Sequence, residues 1–167
     1  MWFVLIPLAI LFFTEGISTL ANNPSYDGYF KKYAPVGIDW RVLKRIAKIE
    51  SNIGLNPRVI AGIVSEDGKS YGLMQLRLST AQDFDPSATI QKLNDPEYSV
   101  KIAAQYISWS KSYLLKNTKL KESDFRFLEF LIKTYNQGVG TSKYELNIKE
   151  VSNGADNYWV KYQNATV

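Results

Sequence analysis

The chain contains no cysteine and no histidine among its 167 residues. Without cysteine it has no disulfide, no thiolate metal site and no thiol nucleophile. Without histidine it lacks the usual general base, the usual metal ligand and every Ser-His triad. Any catalysis therefore falls to carboxylates, tyrosine or lysine. Dense basic runs are missing too: the lysines stand singly or in pairs, which argues against a nucleic-acid stripe, and no nucleic-acid partner is expected. No repeat, low-complexity tract or strand-alternating run of more than a few residues is present.

What is there fits one well-packed domain. The chain is 46% apolar and 22% charged, long enough for a single core and too short for two comfortable ones. Trp2 to Phe13 is apolar yet shorter than the roughly 20 residues a spanning helix needs. Polar Thr14, Glu15 and Gly16 follow, then Thr19-Leu20-Ala21, an acceptable small-x-small cleavage site. Residues 1–21 are expected to be a secretory signal peptide, with mature protein from near Asn22 exported to the periplasm or cell envelope. The alternative is an uncleaved membrane anchor through residues 2–13, in keeping with an n-region that has no Lys or Arg. Cleavage removes Glu15 and no basic residue, raising the net charge from +4 to +5. That charge suits an acidic partner such as a bacterial wall polymer or anionic lipid, and equally suits solubility alone.

The remainder reads as all-α or nearly so. Residues 22–38 form a Pro/Gly/Asn-punctuated lead-in with four aromatics, and 39–164 form the main domain. Asp39 is placed to cap a helix through "WRVLKRIAKIES". A turn is expected around Asn56-Pro57 and a loop over 65–70, "SEDGKS". Ser79 is placed to cap a short helix at "TAQDF". Asp95-Pro96 starts a helix to about Tyr113. Further helices are expected from about Ser123 through "DFRFLEFLIKTY" and at "ADNYWVKYQN".

The first residue with chemistry in it is Glu50. Leu43, Ile46 and Ala47 lie seven, four and three residues before it and share its helix face. A carboxyl held against apolar surface has a raised pKa and donates a proton near neutrality. The plainer alternative is a last-turn glutamate that frays into solvent.

Four motifs in order carry a resemblance: "IES" at 49–51, "NP" at 56–57, "YGLMQL" at 71–76 and "TYNQG" at 134–138. Together with "STAQDF" and "NDPEYSVKIAAQYI", they resemble the lytic transglycosylase family over roughly residues 39–140. The resemblance implies a lysozyme-like helical domain that cleaves the MurNAc-β-1,4-GlcNAc bond of peptidoglycan glycan strands without water. It implies Glu50 as the single catalytic residue, acid towards the glycosidic oxygen and then base towards the C6 hydroxyl, closing a 1,6-anhydro ring. It also implies that Gly72 lets the backbone approach the sugar, that Leu73 anchors the turn, and that Met74 and Gln75 line the groove. The Gln75 amide would bind substrate, Tyr135 would tune or orient the acid, and Asn136 would shape the groove beside it. Ser51 supports the helix end or meets substrate, and the groove serine corresponds to Ser65 or Ser70. No metal or organic cofactor is implied.

The chain departs from the family pattern in two places. The approach to the Gly-Leu-Met-Gln turn is longer than in many relatives and reads Ser-Glu-Asp-Gly-Lys-Ser, more like transglycosylases of type IV secretion systems and phage particles. Thr134 stands where alanine is usual. Two rival functions stay open at this stage. One is a lysozyme-type hydrolase of the same bond, with Glu66 or Asp67 as second carboxylate. The other is an inactive glycan-binding part of a cell-envelope machine, for which an intact Glu50 has no use. Asn164-Ala165-Thr166 is a glycosylation sequon in form only.

Overall fold

The structure is a computed structural model and describes residues 25–56, 68–142 and 153–167. The export or anchor segment, Pro57, Ser65, Glu66 and Asp67 lie outside the described residues. Helices dominate: α1 (Ser25–Tyr33), α2 (Trp40–Ser51), α3 (Leu78–Gln82), α4 (Ile90–Leu93), α5 (Pro96–Asn117), α6 (Phe127–Gln137) and α7 (Asn153–Asn164). A two-stranded antiparallel hairpin, β1 (Ser70–Tyr71) and β2 (Leu76–Arg77), pairs Ser70 with Arg77 and Tyr71 with Leu76.

The long helix α5 is the centre against which α1, α2, α4 and α6 pack, and α7 closes over α6 and α2. Its Val100, Ile102, Ala103, Ile107 and Leu114 are almost wholly enclosed. The start is as expected: Asp95 accepts a 2.7 Å bond from the Tyr98 amide, with Pro96 at the first helical position. It runs past Tyr113 because no Gly or Pro interrupts 114–117 and buried Leu114 continues the apolar face.

Residues 22–38, read as a lead-in, hold α1 and contribute to the same core. Phe30 is fully buried there, a burial worth about 1.5–3 kcal/mol. Lys32 and Tyr33 of α1 both reach Glu97 on α5, at 2.7 and 2.8 Å, and Lys44 of α2 pairs with Asp27 at 2.8 Å.

Two helix starts differ from expectation. α3 begins at Leu78 directly from strand β2, with extended Arg77 in the capping position, so Ser79 lies inside the helix rather than capping it. α6 begins at Phe127 rather than near Ser123. The Asp124 carboxylate accepts from the Lys121 amide at 2.6 Å, and this backward bond builds a turn in place of a forward cap.

Candidate active site

Helix α2 carries the acid. Asp39 caps it, accepting the Arg41 amide at 2.8 Å, and Val42, Leu43, Ile46, Ala47 and Ser51 form its buried stripe. Glu50 sits at the last turn, partly buried beside that stripe. Beyond Ser51 the chain reverses through Asn52, Ile53 and Gly54, all in the left-handed region at φ 53°, 56° and 77°. Asn and Gly adopt this readily. A β-branched isoleucine does so at a cost of about 1–2 kcal/mol, offset by the Ile53 amide reaching the Ala47 carbonyl at 3.0 Å.

The hairpin turn Gly72–Gln75 lies against this helix end and is held from three helices. Ser51 Oγ of α2 donates to the Leu73 carbonyl at 2.7 Å and accepts the Gly54 amide at 2.9 Å. Ser99 Oγ of α5 accepts the Met74 amide at 3.1 Å. Tyr135 Oη of α6 donates to the Met74 carbonyl at 2.7 Å. Three motifs far apart in sequence thus converge on the backbone of residues 73 and 74. Buried backbone polar groups demand partners, so this convergence fixes the turn tightly.

Gly72 is required here by its own backbone surroundings. Its φ is +74°, and a Cβ placed on it would stand 1.8 Å from the Leu93 carbonyl oxygen. That close approach is to the end of α4. Gln75 also sits in the left-handed region, at φ 47°, and its amide nitrogen donates to the Gly72 carbonyl at 2.8 Å. The amide nitrogen is thus engaged by its own turn. Ser51 and Met74 have no exposed surface, and both are engaged in holding the turn. Ser70 is partly buried in β1, Tyr135 is partly buried, and Asn136 is exposed on α6. Thr134 is fully buried; its hydroxyl donates to the Phe130 carbonyl at 2.7 Å and shares a 2.8 Å bond with Ser142.

The acid's direct partner comes from α7. Tyr158 Oη donates to Glu50 Oε1 at 2.7 Å, with the tyrosine itself buried. Burial pushes the Glu50 carboxyl from 4.5 up to about 7, against the opposing pull of the Tyr158 hydroxyl and the Lys161 ammonium. Burial, then the nearby Glu50 charge, holds both Tyr135 and Tyr158 far above the ordinary tyrosine range, so both stay neutral donors. Such a carboxyl can both give and take a proton near neutrality. Among the described residues, no carboxylate figures among the charges acting on it, and no cluster of acids suited to a metal ion is present.

Sequence reasoning did not assign Ser99 and Tyr158. Ser99 could have been noticed as a hydroxyl on the buried stripe of α5, as is Ser110, and Tyr158 as the partner of Tyr162 one turn on. Neither pattern says which distant group the hydroxyl meets.

The profile of the transglycosylase SLT domain matches residues 29–159. The chain belongs to the SLT transglycosylase family. Family membership accounts for the mostly helical, lysozyme-like architecture and for the order of the four motifs. Among relatives called membrane-bound lytic murein transglycosylase F, that of Pseudomonas putida is 36% identical over 118 residues, and that of Shewanella pealeana is 32% identical over 117. A third, from Haemophilus influenzae, is 29% identical over 117 residues. Each alignment covers 70% of this chain and 21% of the relative, so the chain spans about a fifth of the length of these curated relatives.

Proposed function

We propose that the chain is a peptidoglycan lytic transglycosylase in which Glu50 alone acts as acid and then as base. The observation that carries this reading is the partly buried Glu50 carboxyl, lifted to about 7 and hydrogen-bonded by a neutral tyrosine. In the first step Glu50 protonates the glycosidic oxygen between MurNAc and GlcNAc as the C1–O bond breaks. The substrate's 2-acetamido group steadies the oxocarbenium-like centre. The resulting carboxylate is stabilised by Tyr158 and then takes the proton of the C6 hydroxyl, whose oxygen closes on C1. No water enters and the enzyme returns to its starting protonation state.

The other site residues divide into two groups. Ser51, Ser99, Tyr135 and the Met74 backbone hold the turn against the acid, while Gln75, Ser70 and exposed Asn136 are the proposed substrate contacts. For Gln75 the proposed contacts are the amide oxygen and the second N–H, since one N–H is held by the Gly72 carbonyl. The relatives' names support an envelope setting, and an N-terminal segment serving for export or as an anchor would fit it. Among the described residues no helix is long and apolar enough to cross a membrane. The 65–70 sequence supports a role in a secretion or conjugation machine or a phage particle, where local wall opening is needed. The test is Glu50→Gln, which keeps size and the Tyr158 bond but removes the transferable proton. Clearing of purified sacculi should fall by about 10²–10⁴-fold. Near wild-type clearing by the folded variant would overturn the assignment.

A further inference from the structure

A file of aromatic rings leads from the active-site turn to the protein surface along α5. Tyr135, bonded to the Met74 carbonyl, has its ring 5.8 Å from that of Tyr106. Tyr106 stacks on Trp109 at 6.1 Å and 22°, and Trp109 lies 5.4 Å from Tyr113. Phe84 sets its edge against Tyr106 and Trp109, at 6.1 and 6.3 Å. Ser99, Tyr106, Trp109 and Tyr113 fall at helical spacings that keep them on one side of α5. That side therefore starts at the serine holding the hairpin turn and reaches Trp109 about 15 Å further along the helix, at roughly 1.5 Å per residue.

Trp109 stays 44% exposed although other rings flank it. We propose that Trp109, braced by Tyr106, Tyr113 and Phe84, is a stacking platform for a sugar ring of the β-1,4-linked glycan strand, remote from the scissile bond. The proposal rests on the transglycosylase reading above. A pyranose presents an apolar face of C–H groups carrying partial positive charge, which suits the electron-rich face of an indole. Its hydroxyl rim stays in water. The neighbouring rings hold the indole in place before binding, so little side-chain freedom is lost when a sugar docks. A strand that reaches Glu50 and also crosses Trp109 would make the aromatic file a second grip on the polymer.

The test uses the full chain carrying Glu50→Gln, so that substrate is bound but not turned over, titrated calorimetrically with chitin oligosaccharides and with solubilised glycan strands. Adding Trp109→Ala should weaken binding of long strands about threefold to tenfold, the worth of one aromatic contact. Trp109→Phe should recover most of that affinity, because a ring is restored. Truncating Phe125, 95% exposed in the loop before α6, controls for loss of any surface aromatic and should change nothing. In the active enzyme the loss should appear in KM for sacculi far more than in kcat. Unchanged affinity and KM in Trp109→Ala would overturn the platform while leaving the Glu50 assignment intact. Failure of the Glu50→Gln protein to bind any glycan would overturn both.

Discussion

Replacing Glu50 by Gln should make the protein more stable at alkaline pH, even as it loses activity. The folded state raises the Glu50 pKa from 4.5 to about 7. A group that holds its proton more tightly when folded favours the native state fully below its unfolded pKa, and that benefit disappears as pH rises through the folded pKa. Between about pH 4.5 and 7 the wild type therefore loses stability relative to a variant that cannot ionise. At about 1.4 kcal/mol per pKa unit the full difference is about 3.5 kcal/mol. Glu50 is only partly buried, so solvent screens part of it, and about 2 kcal/mol is the working expectation. Glutamine keeps the acceptor for Tyr158, so no bond is lost to confuse the comparison. Urea unfolding of both proteins from pH 4 to 9 isolates the residue, because all other titrating groups cancel in the difference. Glu50→Gln should match the wild type near pH 4 and exceed it by about 2 kcal/mol above pH 8. A difference that does not change with pH would refute the account of a desolvated acid.

Three further perturbations follow from the same geometry. Tyr158→Phe removes a bond that favours the carboxylate, so the Glu50 pKa should climb further and the alkaline limb of activity should move to higher pH; a pH–rate profile reads this directly. Ser51→Ala leaves the Leu73 carbonyl and Gly54 amide without their partner, and urea unfolding should show a loss of about 2–4 kcal/mol. Gly72→Ala meets the Leu93 carbonyl and should cost at least about 3 kcal/mol. Gly68→Ala, at φ +69° with nothing within 4 Å, should cost only about 1–2 kcal/mol, so equal losses at the two glycines would remove the close-approach argument.

Local signals were read well from sequence, and contacts between distant residues were not. Asp39 and the stripe after it gave α2 its observed limits, Trp40–Ser51, because capping and periodicity are properties of neighbours in the chain. Asp95-Pro96 placed the start of α5 for the same reason. The Ser123 start failed because Asp124 had two directions in which to bond, and the choice between them is made in space. The aromatics of 22–38 gave no sign that Phe30 fills the core, since a short helix with little periodicity is stabilised by what it meets. Within the site, Glu50 was legible as a carboxyl on an apolar face. Gly72 was legible as special, but the Leu93 carbonyl that excludes a side chain there was not, because it is 21 residues away. Tyr158 is 108 residues from Glu50, and no local pattern announces that pairing.

Mass spectrometry of muropeptides released from purified sacculi tests the central claim most directly. With Glu50 as acid and then base and the C6 hydroxyl as nucleophile, the products carry 1,6-anhydroMurNAc ends, each one water lighter than a hydrolysis product. They disappear in Glu50→Gln and persist when Glu66 and Asp67 are changed to Gln and Asn. Reducing MurNAc ends as the main product, or loss of activity on removing Asp67 in a folded protein, would contradict the single-carboxyl account.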